Sequence, residues 1–114
     1  MTAESFAAAC PWLVPFVGLH GIGPLVDHTL LKPEATESEI RRLCDEAMAL
    51  GLGAVCVNGQ WVKSAVGRLR VIGAVRVAAV VGFPLGASGT RTKVSETHAV
   101  VDQGADEIDM VVAL

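Results

Sequence analysis

Aromatic side chains make up only 4% of this chain, and its basic residues form no stripe. Nucleic acids are held by clustered Lys and Arg on phosphates and by aromatic platforms under the bases. With a formal net charge of −3 and a pI near 5.5, the chain suits neither duty, and nucleic acid is not expected as its main partner. Cysteine is scarce as well. Cys10, Cys44 and Cys56 are odd in number and have no CxxC spacing. That argues against a disulfide framework or zinc site and for reduced thiols in the cytoplasm. Residues 6–26 are apolar, but no Lys or Arg precedes Lys32, so the positive start of a secretory signal is missing. Pro11, Pro15 and several glycines also break any membrane-spanning helix. No membrane partner is expected. Residues 1–24 read as a short helical or irregular extension packed on the domain. A lipoprotein-like role for Ala7-Ala8-Ala9-Cys10 is the lesser alternative.

What remains is apolar and regular. Hydrophobic residues reach 52% and charged residues 18% of 114 residues, which fits one packed α/β domain. Leu25 to Leu30 can form a first strand, with Lys32-Pro33-Glu34-Ala35 as its exit loop. Thr36 and Glu39 have the spacing of a capping box at a helix start. Ile40, Leu43, Cys44, Ala47 and Met48 recur on one helical face, and Gly51 or Gly53 fits the end. Ala54 to Val57 is a short continuous apolar strand, followed by Asn58-Gly59. Val62, Ala65, Val66 and Leu69 mark a second helix, weakened by Gly67. Val75 to Val81 suits a strand buried on both faces. A loop over residues 82–89 leads to a third helix, about Thr90 to Gln103, with Val94, His98, Ala99 and Val101 expected inward and Gly104 as the stop. Glu107 to Val112 is a fourth strand.

Strands alternating with amphipathic helices imply a parallel sheet joined by right-handed crossovers. Periodicity leaves two closures open, a small open sheet of the Rossmann or flavodoxin kind and an arc of a (β/α)8 barrel. A dinucleotide fingerprint needs its glycines between a strand and a helix. Gly51-Leu52-Gly53 precedes a strand, and Gly21-Ile22-Gly23 lacks the third glycine in place, so dinucleotide binding is poorly supported.

The candidate chemistry sits on the strands. Asp109 lies within Glu107-Ile108-Asp109-Met110-Val111-Val112, which otherwise reads as buried, and burying a carboxylate unpaired is costly. It is a candidate site residue; an exposed or structurally paired Asp is the plainer alternative. Asp27 and Thr29 are two apart and face the same way. They can bind a polyhydroxy ligand or hold a catalytic lysine, or be a strand-edge acid and a satisfied threonine. His28 alternates to the other face and reads as structural. Cys56 is at the end of strand two, where a small core residue is the ordinary reading. The lysines are Lys32, in a loop, and Lys63 and Lys93, which sit on amphipathic helices and read as solvated.

Three segments carry a resemblance. Asp27-His28-Thr29-Leu30-Leu31-Lys32-Pro33-Glu34-Ala35-Thr36, then Gly82-Phe83-Pro84-Leu85-Gly86, then Gly104-Ala105-Asp106-Glu107-Ile108-Asp109-Met110-Val111 together resemble the deoxyribose-phosphate aldolases, class I Schiff-base-forming enzymes of the TIM-barrel type. The match runs from about Val26 to Val112. It implies a partial (β/α)8 barrel, about the first four strands with three intervening helices, in residues 25–114. A whole barrel takes about 250 residues, so the expectation is a fragment, the N-terminal half. The resemblance implies that Asp109 assists proton transfer around the Schiff base. It faces Asp27 and Thr29 toward the catalytic centre, makes Cys56 a pocket-lining residue rather than a nucleophile, and makes Phe83 and Pro84 wall and shape. It departs at Gly59, where the family often has Pro or Tyr. No metal or organic cofactor is implied, because a lysine imine is the electron sink. The implied partner is a small phosphosugar, and a homo-oligomer stays open. That lysine belongs to a Lys-Thr-Ser-Thr-Gly-like motif after a later strand and is absent here; Lys32 matches a recurrent noncatalytic lysine. The chain alone is therefore expected to be inactive. A noncatalytic assembly module of the same fold and a small α/β phosphate- or nucleotide-binding domain are the competing readings.

Overall fold

The computed structural model describes Thr2, Ser5, residues 8–71 and residues 73–114. An N-terminal helix, α1 (Leu13–His20), precedes a 3-10 turn at Gly23–Leu25. Then follow β1 (Asp27–Leu30), α2 (Glu37–Ala49), β2 (Ala54–Val57), a 3-10 turn at Gly59–Trp61, α3 (Val62–Leu69), β3 (Arg76–Val81), α4 (Thr90–Asp102) and β4 (Glu107–Met110). All neighbouring strands are parallel, in the order β1-β2-β3-β4. This order decides between the two closures. A doubly wound sheet reverses direction at a switch point and places helices on both faces. Here the winding never reverses.

Side-chain parity confirms a single helical layer. Val55, Val57, Val77, Ala79 and Val81 pack with Ile40, Leu43, Cys44, Ala47, Val62, Ala65, Leu69 and Val100 of the helices. The alternate strand residues Cys56, Ala78 and Val80 form a separate cluster with only Leu31 packed against it. One face of the sheet is therefore a closed α/β core and the other faces inward, as in an arc of a (β/α)8 barrel.

Local signals placed most elements. Thr36 accepts from the Glu39 amide at 3.4 Å, while Glu39 accepts from the Thr36 amide at 2.8 Å, closing the expected capping box at α2. Lys32 donates to Glu39 at 2.6 Å. That bond, with the Thr36 amide, holds the Glu39 carboxyl down at about 2.

Four expectations fail, one about a strand boundary and three about burial. β1 begins at Asp27 rather than Leu25, because Gly23–Leu25 takes a 3-10 turn containing Pro24. α4 does not turn its valines inward. Val94 and Val101 are each about half exposed, His98 and Ala99 are exposed, and Lys93 and Val100 are buried. Lys93, Glu96, Thr97 and Val100 share one face at helical spacing, so α4 docks through a face that is mostly polar. Lys93, expected in solvent, is only 7% exposed. Near the N-terminus, α1 buries no residue, with Trp12 and Leu19 exposed. Ala7, in the Ala7-Ala8-Ala9-Cys10 segment, and part of the 1–24 extension lie outside the described residues. No described helix is long and apolar enough to cross a membrane.

Two predictions follow from this architecture. Among the described residues, β1 and β4 each lack a strand neighbour on one side, and exposed parallel edges invite pairing with other chains. The 114-residue chain is therefore expected to dimerise, aggregate or remain partly molten at micromolar concentration. Light scattering after size-exclusion chromatography, with near-UV circular dichroism on Trp12 and Trp61, reads this; a monodisperse monomer with cooperative melting contradicts it. The second concerns acid. Glu39 has a lowered carboxyl in the folded state, so its contribution is present above its ordinary 4.5 and is lost as pH falls toward about 2. Glu39→Gln should remove that part of the acid-induced loss of helical circular dichroism. An identical acid profile in the variant would show that the capping box carries no pH dependence.

Candidate active site

The strands end toward one rim, and their inward-facing residues meet there. Register aligns Thr29 with Cys56, Cys56 with Ala78, and Val80 with Asp109. Thr29, Cys56 and Asp109 line one open hollow of about 560 Å³, flanked by Leu31, Val80 and Phe83. Across β3, the Cys56 Sγ donates to Asp109 Oδ2 at 3.6 Å. The second oxygen of Asp109 receives no hydrogen bond from the described residues, which leaves it open to a water or a hydroxyl.

The cavity brings three of the four candidate residues together. Asp27 does not line it. It stands one step further back on β1, where its main-chain carbonyl accepts from Thr29 Oγ1 at 3.1 Å. Its charge still reaches the site. The Cys56 thiol is pushed up to about 12, first by burial, then by the Asp109 carboxylate, then by Asp27. At neutral pH it is a thiol, able to donate to Asp109 and poorly suited to attack. Asp109 itself is not buried. It is exposed, because β4 is an edge strand and the inward face of the sheet is uncovered. In this arc its carboxylate keeps its hydration, so its place on the inward face, rather than burial, is what marks it.

No lysine amine lines this cavity. Lys32 Nζ is engaged by Glu39, and that carboxylate raises the Lys32 pKa, so its amine is protonated. Lys63 is exposed on α3. Lys93 Nζ is buried on the helix side and donates to the Val111 carbonyl at 2.7 Å. His28 pairs with Glu46 at 2.7 Å, on the face opposite Thr29, which is the structural role expected of it. Among the described residues no group of three or more His, Cys, Asp and Glu side chains is placed to hold a metal ion.

Several supports escaped the sequence. Asn58 Nδ2 donates to the Leu31 carbonyl at 3.0 Å, tying the exit of β2 to the exit of β1. Glu96 accepts from the Gly82 amide at 2.8 Å, holding the loop that carries Phe83. At Gly86, φ is +65°, and a Cβ there would collide with the Val112 carbonyl and the Val111 side chain. Glycine at this position therefore lets the loop after β3 lie directly on the exit of β4. The polar spacing of Lys93, Glu96 and Thr97 was the signal for the α4 contacts, but a search for apolar periodicity passes over it.

No family model matches the chain. It is 52% identical over 89 residues to the deoxyribose-phosphate aldolase of Clostridium botulinum (strain Langeland), covering 78% of this chain and 42% of that relative. It is 54% identical over 88 residues to deoxyribose-phosphate aldolase 2 of Staphylococcus aureus (strain MRSA252), covering 77% of this chain and 40% of that relative. Among solved structures, the tetrameric deoxyribose phosphate aldolase of Aeropyrum pernix superposes with a TM-score of 0.78 at 32% identity, over 83% of this chain and 40% of that one. One put forward as a deoxyribose-phosphate aldolase from Coccidioides immitis superposes with a TM-score of 0.76 at 42% identity, over 78% and 35%. The chain thus spans about two fifths of the length of the curated relatives it matches. This similarity and the singly wound sheet assign the chain to the deoxyribose-phosphate aldolase family, matching the N-terminal portion.

Proposed function

We propose that residues 25–114 are the first half of a cytoplasmic deoxyribose-phosphate aldolase barrel, with residues 1–24 as an extension of it. The complete enzyme would reversibly cleave 2-deoxy-D-ribose 5-phosphate to acetaldehyde and D-glyceraldehyde 3-phosphate through a lysine imine, with no metal or organic cofactor. The observation that carries this reading is the shared cavity of Thr29, Cys56 and Asp109 on the inward face of the first four strands.

Asp109 moves the proton. Its unengaged oxygen is the group free to accept from a water or a substrate hydroxyl, and Cys56 steadies the other. Thr29 approaches the substrate from β1 with Asp27 one step behind it on the same face, and Cys56 lines the pocket as a neutral thiol. The imine requires a deprotonated amine in contact with this cavity. Such an amine would come from a later strand of the complete barrel. A noncatalytic module of the same fold is the second reading. It draws support from the absence of any lysine amine along this cavity among the described residues.

Two measurements test the proposal. The 114-residue chain, incubated with deoxyribose 5-phosphate and borohydride and then weighed, should carry no adduct and show no turnover. A stable adduct on Lys32, Lys63 or Lys93 would contradict it. In a barrel completed with the C-terminal portion of a relative, Asp109→Asn should lower turnover by about 10²–10⁴-fold, roughly 3–5 kcal/mol of barrier, with little change in melting temperature. A near-normal rate with a large loss of stability would make Asp109 structural. A completed barrel with no turnover even before substitution would favour the noncatalytic module.

A further inference from the structure

Helix α4 carries two ionisable side chains on its docked face that the reading above leaves without a task. Lys93 is buried, and its Nζ donates to the main-chain carbonyl of Val111 at 2.7 Å. Among the described residues no carboxylate pairs with it. Glu96, on the next turn, accepts from the Gly82 amide at 2.8 Å. A buried ammonium with one main-chain partner is an expensive way to fill space; methionine or leucine would do it without the loss of hydration. The cost makes sense through what the two side chains hold.

They hold the same junction from one helix face. Gly82 begins the loop after β3, and Val111 is the first residue past β4. The Val111 amide also donates to the Val81 carbonyl at 3.0 Å, so both polar groups of its main chain are fixed, one by β3 and one by α4. Gly86 lies directly on Val111 and Val112, and the Lys93 chain occupies the space that a Cβ at Gly82 would need. The Lys93 and Val81 contacts fall on Val111, two residues past Asp109 and just beyond a strand whose outer edge has no neighbour among the described residues, and the Glu96 contact falls on the loop that lies against it.

We propose that Lys93 and Glu96 are positioning residues that clamp the β3 and β4 exits together and so hold the Asp109 carboxylate over Cys56. The catalytic weight of this placement rests on the reading of Asp109 given above; the placement itself does not, and it is tested without substrate. Lys93 fixes the end of β4, and Glu96 fixes the loop that β4 leans on. An edge strand with no outer neighbour depends on this inner anchorage to present its side chain in one place.

The chain's own cysteines report the outcome. Cys56 lies under Asp109, Cys44 is sealed in the helix layer, and Cys10 is partly exposed. Alkylation by iodoacetamide at mildly alkaline pH of the barrel completed with the C-terminal portion of a relative, followed by peptide mapping, gives these three rates at once. In the unsubstituted chain Cys56 should react far more slowly than Cys10. Lys93→Met should raise the Cys56 rate several-fold, as the thiol is released from the Asp109 carboxylate, and leave Cys44 slow. Asp109→Asn should raise it comparably, and the double substitution should add little, since both act through one contact. Lys93→Arg, which keeps a donor, should stay close to the unsubstituted rate, and Glu96→Gln should fall between. The proposal is overturned if Lys93→Met leaves Cys56 unchanged, or if its effect multiplies with that of Asp109→Asn. It is equally overturned if Cys44 accelerates in step with Cys56, which would make Lys93 a general stabiliser, or if Cys56 of the unsubstituted chain reacts as fast as Cys10.

Discussion

Successive side chains of a pleated strand leave on opposite faces, and in this sheet every crossover helix packs on the same face. Everything proposed for the molecule depends on that division. The residues packed on the helix side are aliphatic, Leu30, Val55, Val57, Val77, Ala79, Val81 and Ile108, so the core excludes water and fixes the register. The residues facing the other way, Thr29, Cys56, Ala78, Val80 and Asp109, then fall into line without further instruction. A shift of one residue in β4 would exchange its two faces, placing the Asp109 carboxylate in the helix layer and Ile108 or Met110 in the cavity. The cost of that exchange keeps Asp109 where it is.

What could be read from the sequence follows from the same division. Strands and helices whose buried side is apolar announced themselves by period, so β2, β3, α2 and α3 lie within a residue or two of where their patterns put them. Thr36 and Glu39 marked the start of α2 through a hydrogen-bonding requirement that is local in sequence. α4 misled for the complementary reason. Its docked face uses Lys93, Glu96 and Thr97, whose partners Gly82 and Val111 lie in other segments, and no periodicity in hydrophobicity encodes such contacts. Asp109 was found for a partly mistaken reason. Its strand is apolar because one face meets the helix layer, and the carboxylate sits on the other, exposed face. The resemblance of the three motifs carried the assignment further than periodicity could, and the sheet order removed the open doubly wound alternative.

The electrostatics of the inward face bear on what can cover it. Burial first, then Asp109 and Asp27, bring the Cys56 thiol to about 12. Closing the barrel would remove water from these carboxylates, a loss that hydrogen-bond donors or positive charge on the covering surface would offset. The chain's lysines do not supply that charge. Lys32 is turned outward to Glu39, Lys63 is in solvent, and Lys93 is committed to the Val111 carbonyl behind the sheet. A second copy of the same half, docked face to face, would double the carboxylates and add no free amine to the cavity. Edge-to-edge pairing of β1 with β4 of another copy meets no such opposition in its backbone hydrogen bonds, but it would still leave the acids facing one another across the interior. Association of isolated chains should therefore be driven by the strand edges and resisted by the face. A cation-bearing set of strands relieves both at once, which is the physical reason for reading the acidic face as one half of a mixed-charge active site.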